Sequence, residues 1–207
     1  MKPVISISCP IDTFSGYGAR SRDVVKALIN SEKYEVKILS QRWGSTPFGF
    51  LKPSNPDHKK IIDCIQLSNN KLEGVPDIWI QITVPNEFQK VGKYNIGITA
   101  GIETDLCATT WIEGCNRMDL VLTSCNHSKK VFLNSKYEQR KKDNPEEVVG
   151  IIETTVPVEV LFEGVDTQIY KKTNKVDETL DDILKSIPEH FNFLVVGHWL
   201  QGSFGED

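Results

Sequence analysis

What this chain lacks narrows its class first. No apolar run much exceeds about five residues, far short of the ~20 that a membrane-spanning helix needs. There is no basic excess either. Lys and Arg number 24 against 28 Asp and Glu, for a net charge of −4, so bulk charge offers nothing to nucleic acid. Peripheral contact with a membrane surface stays open. The N-terminal "MKPVISIS" shows no signal-peptide cleavage pattern. No CxxC pair occurs among the five cysteines, at 9, 64, 107, 115 and 125. An odd, unpaired set points to reduced, mostly buried thiols in a cytoplasmic protein. A zinc site built from Cys107, Cys115, Cys125 and His127 fits no common ligand spacing. What is present is ordinary for a globular chain: 207 residues, 39% hydrophobic and 25% charged. That length suits one full domain, or one domain and part of another.

Along the chain, strand-like and helix-like segments alternate. "VISIS" (4–8), "YEVKILS" (34–40), "PDIWIQITVP" (76–85), "YNIGITAG" (94–101) and "DLVLTS" (119–124) read as strands, and "VPVEVLFEGVD" (156–166) holds another. Helical spacing places Ser21, Val24, Val25, Leu28 and Ile29 on one face after Gly18. Residues 109–118 and 126–135 read as further helices, the second capped by Ser124 or Asn126. Residues 42–60, with three prolines and two glycines, read as a long loop, and 61–67 as a strand or short edge element. The charged stretch 137–147 reads as a surface insertion. An acidic helix over 176–187 carries Val176, Leu180, Ile183, Leu184 and Ile187 on its inner face. "FNFLVVGHW" (191–199) reads as a buried strand. Apolar strands alternating with helices predict an α/β fold: a Rossmann-like, mostly parallel sheet with helices on both faces. Such sheets bind ligands at the carboxyl ends of their strands. The loops expected there are 9–18, 100–106 and 124–127.

The glycine elbow "TFSGYGARSRDVVKAL" (13–28) is the sharpest local feature. Gly16 lacks a Cβ, so a ligand can approach the backbone. Free N–H groups at the start of the helix after Gly18 favour an anion, and Arg20 or Arg22 can add positive charge for a phosphate. The plainer alternative is a tight turn flanked by solvated arginines. The loop "TAGIETD" (99–105) offers Gly101 and the carboxylates Glu103 and Asp105. These can bind hydroxyls or move a proton, or Asp105 can cap the helix that follows. Trp111 and Trp199 suit the core better than sugar stacking. His127 belongs to a helix's first turn or touches ligand.

Four segments together resemble the retaining, family 4-like glycosyltransferases of the two-Rossmann-domain (GT-B) architecture. "SGYGARSRDVVKAL" is similar to their glycine loop and first helix, and "DLVLTSCNHSKKVF" to their strand–serine–helix segment. "VEVLFEGVDTQIY" is similar to the segment before their crossover, and "FLVVGHWLQGSFGED" to the opening of their second domain. The resemblance spans nearly the whole chain. It implies an acceptor-side domain over 1–190 and the start of a truncated donor-side domain over 191–207. It implies transfer of a sugar from a nucleotide-sugar donor to a hydroxyl acceptor on a glycan, lipid or protein, with no metal or other cofactor.

On that resemblance Glu103 and Asp105 are the catalytic candidates. Gly16, Tyr17, Gly18, Arg20, Gly101, Asn126 and His127 are the substrate-binding candidates. His198 and Gly202 belong to the donor-side loop. The histidine that relatives often carry near the sugar is absent from 99–105. The fragment alone is expected to be inactive, and its C-terminal strand to be exposed and able to self-associate. A non-catalytic, transferase-like binding or assembly module is the competing reading. A dinucleotide-dependent oxidoreductase fits worse, because "SGYGAR" lacks the third glycine of GxGxxG and "YEVKILSQRW" ends without an acid for a ribose.

Overall fold

A computed structural model describes residues 2–66, 72, 74–173 and 176–194. They group into two compact units, Met1–Gly164 and Val165–Asp207.

The first unit is built on a six-stranded sheet. Its strands are β1 (Val4–Cys9), β2 (Glu35–Ser40), β3 (Ile78–Ile82), β4 (Tyr94–Thr99), β5 (Leu120–Thr123) and β8 (Val158–Val160). They run in the order β2-β1-β3-β4-β5-β8, and every pairing is parallel. The Rossmann-like α/β expectation holds. Helices α1 (Gly16–Asn30) and α2 (Pro56–Ile62) cover one face. Val25 and Ile61 join Ile5, Ile7, Ile80, Ile82 and Ile98 there. Helices α3 (Thr109–Cys115) and α4 (Asn126–Asn134) cover the other, where Ile112, Val131 and Phe132 meet Trp79, Val121 and Val158. Side-chain alternation along β3 sorts the two layers: Trp79 goes to one and Ile80 to the other. At the amino ends of β4 and β5, buried Asn95 is a staple. Its backbone N–H and its side-chain amide both donate to Asp119 at 2.8 Å.

Three segments differ from the sequence expectation. The stretch read as loop and edge strand contains α2. Asn55 caps it by accepting from the backbone N–H of Asp57 and His58, and Pro56 occupies the first turn, where its missing N–H costs nothing. Among the described residues of that segment only Ile65 pairs as a strand, in a single parallel bridge to Ile38 of β2. The charged stretch after α4 is exposed as expected, but it lies within an antiparallel hairpin of β6 (Tyr137–Arg140) and β7 (Val148–Ile152). The helix after β5 is capped by neither Ser124 nor Asn126: the Cys125 thiol accepts from the Ser128 N–H.

The second unit contains α5 (Glu178–Lys185), capped by the Asp177 carboxylate. None of its residues is buried, and the stripe of Leu180, Ile183 and Leu184 is exposed. No other regular element among the described residues of that unit exists to cover it. Phe193 and Leu194, expected to open a buried strand, have no regular structure and are exposed. Residues 195–199, and with them Trp199 and His198, lie outside the described residues, as does Gly202.

Candidate functional site

Counting outward from β1, the chain first winds to β2 and the Ile65 bridge, then returns across the sheet to β3, β4, β5 and β8. The two directions part between β1 and β3. A crevice opens at such a switch point, outside the carboxyl ends of the strands. Two cavities lie there, of about 190 and about 370 Å³.

The loop from β1 into α1 is locked by its own residues. The Thr13 hydroxyl donates to the Pro10 carbonyl at 2.9 Å, and Ser15 caps α1 by accepting from Gly18 N–H at 2.9 Å. Helix α1 therefore begins at Gly16, two residues before the expected start, and both glycines belong to its first turn. Their roles separate. A Cβ on Gly18 would lie 2.4 Å from the Thr13 carbonyl oxygen, so Gly18 is required by the turn itself. A Cβ on Gly16 would meet nothing within 4 Å. The fold does not need glycine at 16, and the free space above it belongs to the smaller cavity.

Both arginines are spent on the protein. Arg22 donates to the carbonyls of Ile11 (3.0 Å) and Thr13 (2.9 Å), and its guanidinium lies 3.5 Å from the centre of the Phe50 ring. Arg20 lines the smaller cavity but donates to the carbonyls of Leu161 and Phe162, which follow β8. It clasps that segment and so helps hold Glu163 at the cavity wall. Glu163, inside the "EGVD" run, is a cavity residue that the sequence reading passed over. Its position on the sheet's far side gave no signal until β8 was placed.

Tyr17 is the best-fixed polar group of the smaller cavity. Its hydroxyl lies 3.1 Å from Thr99 Oγ1 and accepts from the Ala100 N–H at 3.1 Å. Burial pushes its pKa above the ordinary tyrosine value. The Thr99 and Ala100 hydrogen bonds oppose this, and the charges of Glu103 and Glu163 add to it. The hydroxyl stays protonated at neutral pH and can donate to a ligand oxygen. Ile82, Ile98 and the α1 turn supply apolar wall.

Of the other sequence candidates, Gly101 turns the chain at φ +93°, and a Cβ there would strike Ser128 Oγ at 2.2 Å, so its part is to shape the loop. The hydroxyls of Ser124 (2.8 Å) and Ser128 (3.1 Å) both donate to the Ala100 carbonyl, fixing the β4 loop against α4. Glu103 and Asp105 are exposed in that loop, and Glu103 is close enough to act on Tyr17. Asp105 does not cap α3, whose N-cap position is Ala108 with no side-chain bond. Asn126 and His127 are exposed in the first turn of α4, outside the residues lining either cavity. Trp111 packs on Phe132. Among the described residues no three His, Cys, Asp or Glu side chains come together to hold a metal ion. All five cysteines are free.

The larger cavity shares Ile82 with the smaller one and opens on the opposite sheet layer, where Ser8, Trp79 and Gln81 form its floor. The two cavities are divided by a stacked pair: the Tyr17 and Trp43 rings lie 4.0 Å apart, tilted by 24°. Among the described residues no helix is long and apolar enough to cross a membrane. Comparison with protein-family models, curated proteins and solved structures gave no match.

Proposed function

We propose that this chain forms the acceptor-side wall of a glycosyltransferase of GT-B architecture, which moves a sugar from a nucleotide-sugar donor to a hydroxyl. The observation that carries this reading is the unfilled space over Gly16 at the switch point of a doubly wound sheet. Around it, the Tyr17 hydroxyl is pre-positioned by Thr99 and Ala100, and the carboxylates of Glu103 and Glu163 act on it. This electrostatic character supports a neutral, hydroxylated acceptor over an anionic donor. A nucleotide diphosphate needs cations, and Arg20 and Arg22 are committed to backbone carbonyls.

In this reading Tyr17 donates to an acceptor oxygen, and Glu103 or Glu163 takes a hydroxyl proton or accepts a hydrogen bond. The apolar side chains of Ile82 and Ile98 exclude water from one side of the bound acceptor. Fixing the acceptor in this way supplies positioning, a contribution worth ~7–11 kcal/mol when both reactants are held. The donor phosphates are neutralised by groups outside the described cavity. Arg20's engagement with carbonyls also favours the second reading, a non-catalytic binding module of the same fold.

The test is incubation of the 207-residue chain with a panel of nucleotide sugars and hydroxylated acceptors. No transfer and no donor hydrolysis are expected, while acceptor binding should perturb Tyr17 and be lost in Gly16→Val. Robust turnover by this chain would overturn the acceptor-side assignment. Acceptor binding unchanged in Gly16→Val would remove the site from the smaller cavity.

A further inference from the structure

The Tyr17 hydroxyl is the last link of a chain of hydrogen bonds that begins at the junction of β5 and α4. Ser124, just after β5, and Ser128, within α4, donate their hydroxyl protons to the Ala100 carbonyl at 2.8 and 3.1 Å. A carbonyl oxygen has two lone pairs, and both are taken. Glycine at 101 is what lets Ser128 come this close, since a Cβ there would lie 2.2 Å from its Oγ. The peptide that carries this carbonyl also carries the Gly101 N–H, which donates to Thr99 Oγ1 at 3.4 Å. Thr99 Oγ1 lies 3.1 Å from the Tyr17 hydroxyl, and Tyr17 lines the cavity over Gly16.

The protons along this chain have one consistent direction. The Gly101 N–H can only donate, so Thr99 Oγ1 accepts on that side. The other partner of the Thr99 hydroxyl among the described residues is Tyr17. Thr99 is 2% exposed. Were Tyr17 to donate to it, the Thr99 proton would be buried with no acceptor, an arrangement that protein interiors avoid. Thr99 therefore donates to Tyr17. Tyr17 accepts a second time, from the Ala100 N–H at 3.1 Å. Its own proton then has no acceptor among the described residues and is left for the cavity that Tyr17 lines. Bonds that run donor to acceptor in one direction polarise one another, so each link strengthens the next.

We propose that Ser124 and Ser128 are positioning residues for this cavity: acting through the Ala100–Gly101 peptide and Thr99, they hold the Tyr17 hydroxyl as a hydrogen-bond donor to a ligand. Neither serine lines the cavity itself. The strand–serine–helix segment thereby takes part in the site without touching what binds there. The donor role rests on the reading of the cavity as an acceptor site. The bond chain that sets it is a property of the free protein and is tested without a ligand.

The first measurement is amide hydrogen exchange, followed by NMR, on the 207-residue chain. Ser124→Ala, at a half-buried position, and Ser128→Ala, at a buried one, should each speed exchange of the Ala100 and Gly101 amides by roughly 2–10-fold, the loss expected for one hydrogen bond. The Ile96 and Ile98 amides of β4 should not change, which separates positioning from a general loss of stability. Ser124→Thr keeps the hydroxyl and should restore wild-type exchange. Tyr17→Phe should release the Ala100 amide and leave the Gly101 amide protected. The second measurement is binding of methyl glucopyranoside by ligand-observed NMR. Tyr17→Phe should weaken it by roughly 2–10-fold. Either serine variant should weaken it in the wild-type background and add nothing on top of Tyr17→Phe, the mark of residues that act through Tyr17. Ala100 and Gly101 amides indifferent to both serine variants, or serine effects that add in full to that of Tyr17→Phe, would overturn the proposal. Failure of the wild-type chain to bind the glycoside would count against the acceptor reading alone, and the amides would still decide the positioning.

Discussion

Gly16 and Gly18 sit in one helical turn, yet the structure assigns them opposite sensitivities. A Cβ at 18 would be 2.4 Å from the Thr13 carbonyl oxygen, 2.6 Å from Thr13 Oγ1 and 3.0 Å from the Pro10 carbonyl oxygen. Two of these are backbone atoms held by the Arg22 and Thr13 bonds, so they cannot step aside cheaply. Overpacking of this kind costs ~1–3 kcal/mol. Gly18→Ala should therefore lower Tm by roughly 2–12 °C, at about 2–4 °C per kcal/mol for a chain of this size. Gly16→Val places its branches in open space. Its backbone effect is a small gain, since glycine is worth ~0.8–1.0 kcal/mol less than alanine in a helix and valine only part of that. Its Tm should move by less than about 2 °C in either direction. Thermal unfolding followed by circular dichroism reads both variants, and acceptor binding is measured on the same samples. A larger Tm loss in Gly16→Val than in Gly18→Ala would refute the division of roles. Retained binding in a folded Gly16→Val protein would sever the cavity from function.

Further outcomes follow from the same geometry. Gly101→Ala should destabilise by several kcal/mol, because the φ of +93° and the 2.2 Å approach to Ser128 Oγ act together; urea unfolding checks this. Alkylation with mass-spectrometric mapping at neutral pH should modify Cys125 first, since hydrogen bonds from Ser128 lower its pKa, and Cys9 and Cys115 last, since burial pushes both to about 12. Folded-state pKa values raised from 9.0 hold protons that the unfolded chain releases, so stability is complete below pH 9 and falls as pH rises toward about 12. Urea midpoints measured across that window should decline, and a flat profile would contradict the burial of these thiols. On the proposed transferase reading, Glu103→Gln should reduce turnover by ~10²–10⁴ if the carboxylate moves a proton, and by less if it only binds. Wild-type kinetics would shift the role to Glu163.

The sheet was legible because short, mostly apolar β-rich runs alternate with helical segments, and buried apolar strands alternating with helices are what a parallel sheet requires. The boundaries of α1 and the existence of α2 were less so. Ser15 and Asn55-Pro56 are helix-start signals that can be read locally, but glycine next to one and proline-rich chain before the other masked them. The candidate site divided along the same line. Gly16 could be singled out from its place after the first strand. That Gly18 serves the turn, that Arg22 serves the Thr13 loop, and that Glu163 returns to the same cavity depend on contacts between segments as far as 142 residues apart. Residue type carries no record of such distances. The hairpin after α4 was hidden in the same way: β6 is polar and charged, β7 (VVGII) is apolar yet mostly exposed, and neither has a buried face to impose alternation.

The Tyr17–Trp43 stack has a thermodynamic consequence. Each ring belongs to a different cavity, and each rests on the other. Tyr17 is tethered onward to Thr99 and Ala100, and the segment carrying Trp43 is tied back to the β1 loop through Asp12, which accepts from the N–H groups of Gly49 and Leu51. A ligand that tilts one ring must work against the other. Any two ligands that occupied the two cavities would therefore be linked, and linkage is symmetric: whatever factor the first imposes on the affinity of the second, the second imposes on the first. Titrating each ligand in the presence of the other should return one shared factor. Trp43→Leu, which removes the ring face while keeping an apolar side chain, should bring that factor to one.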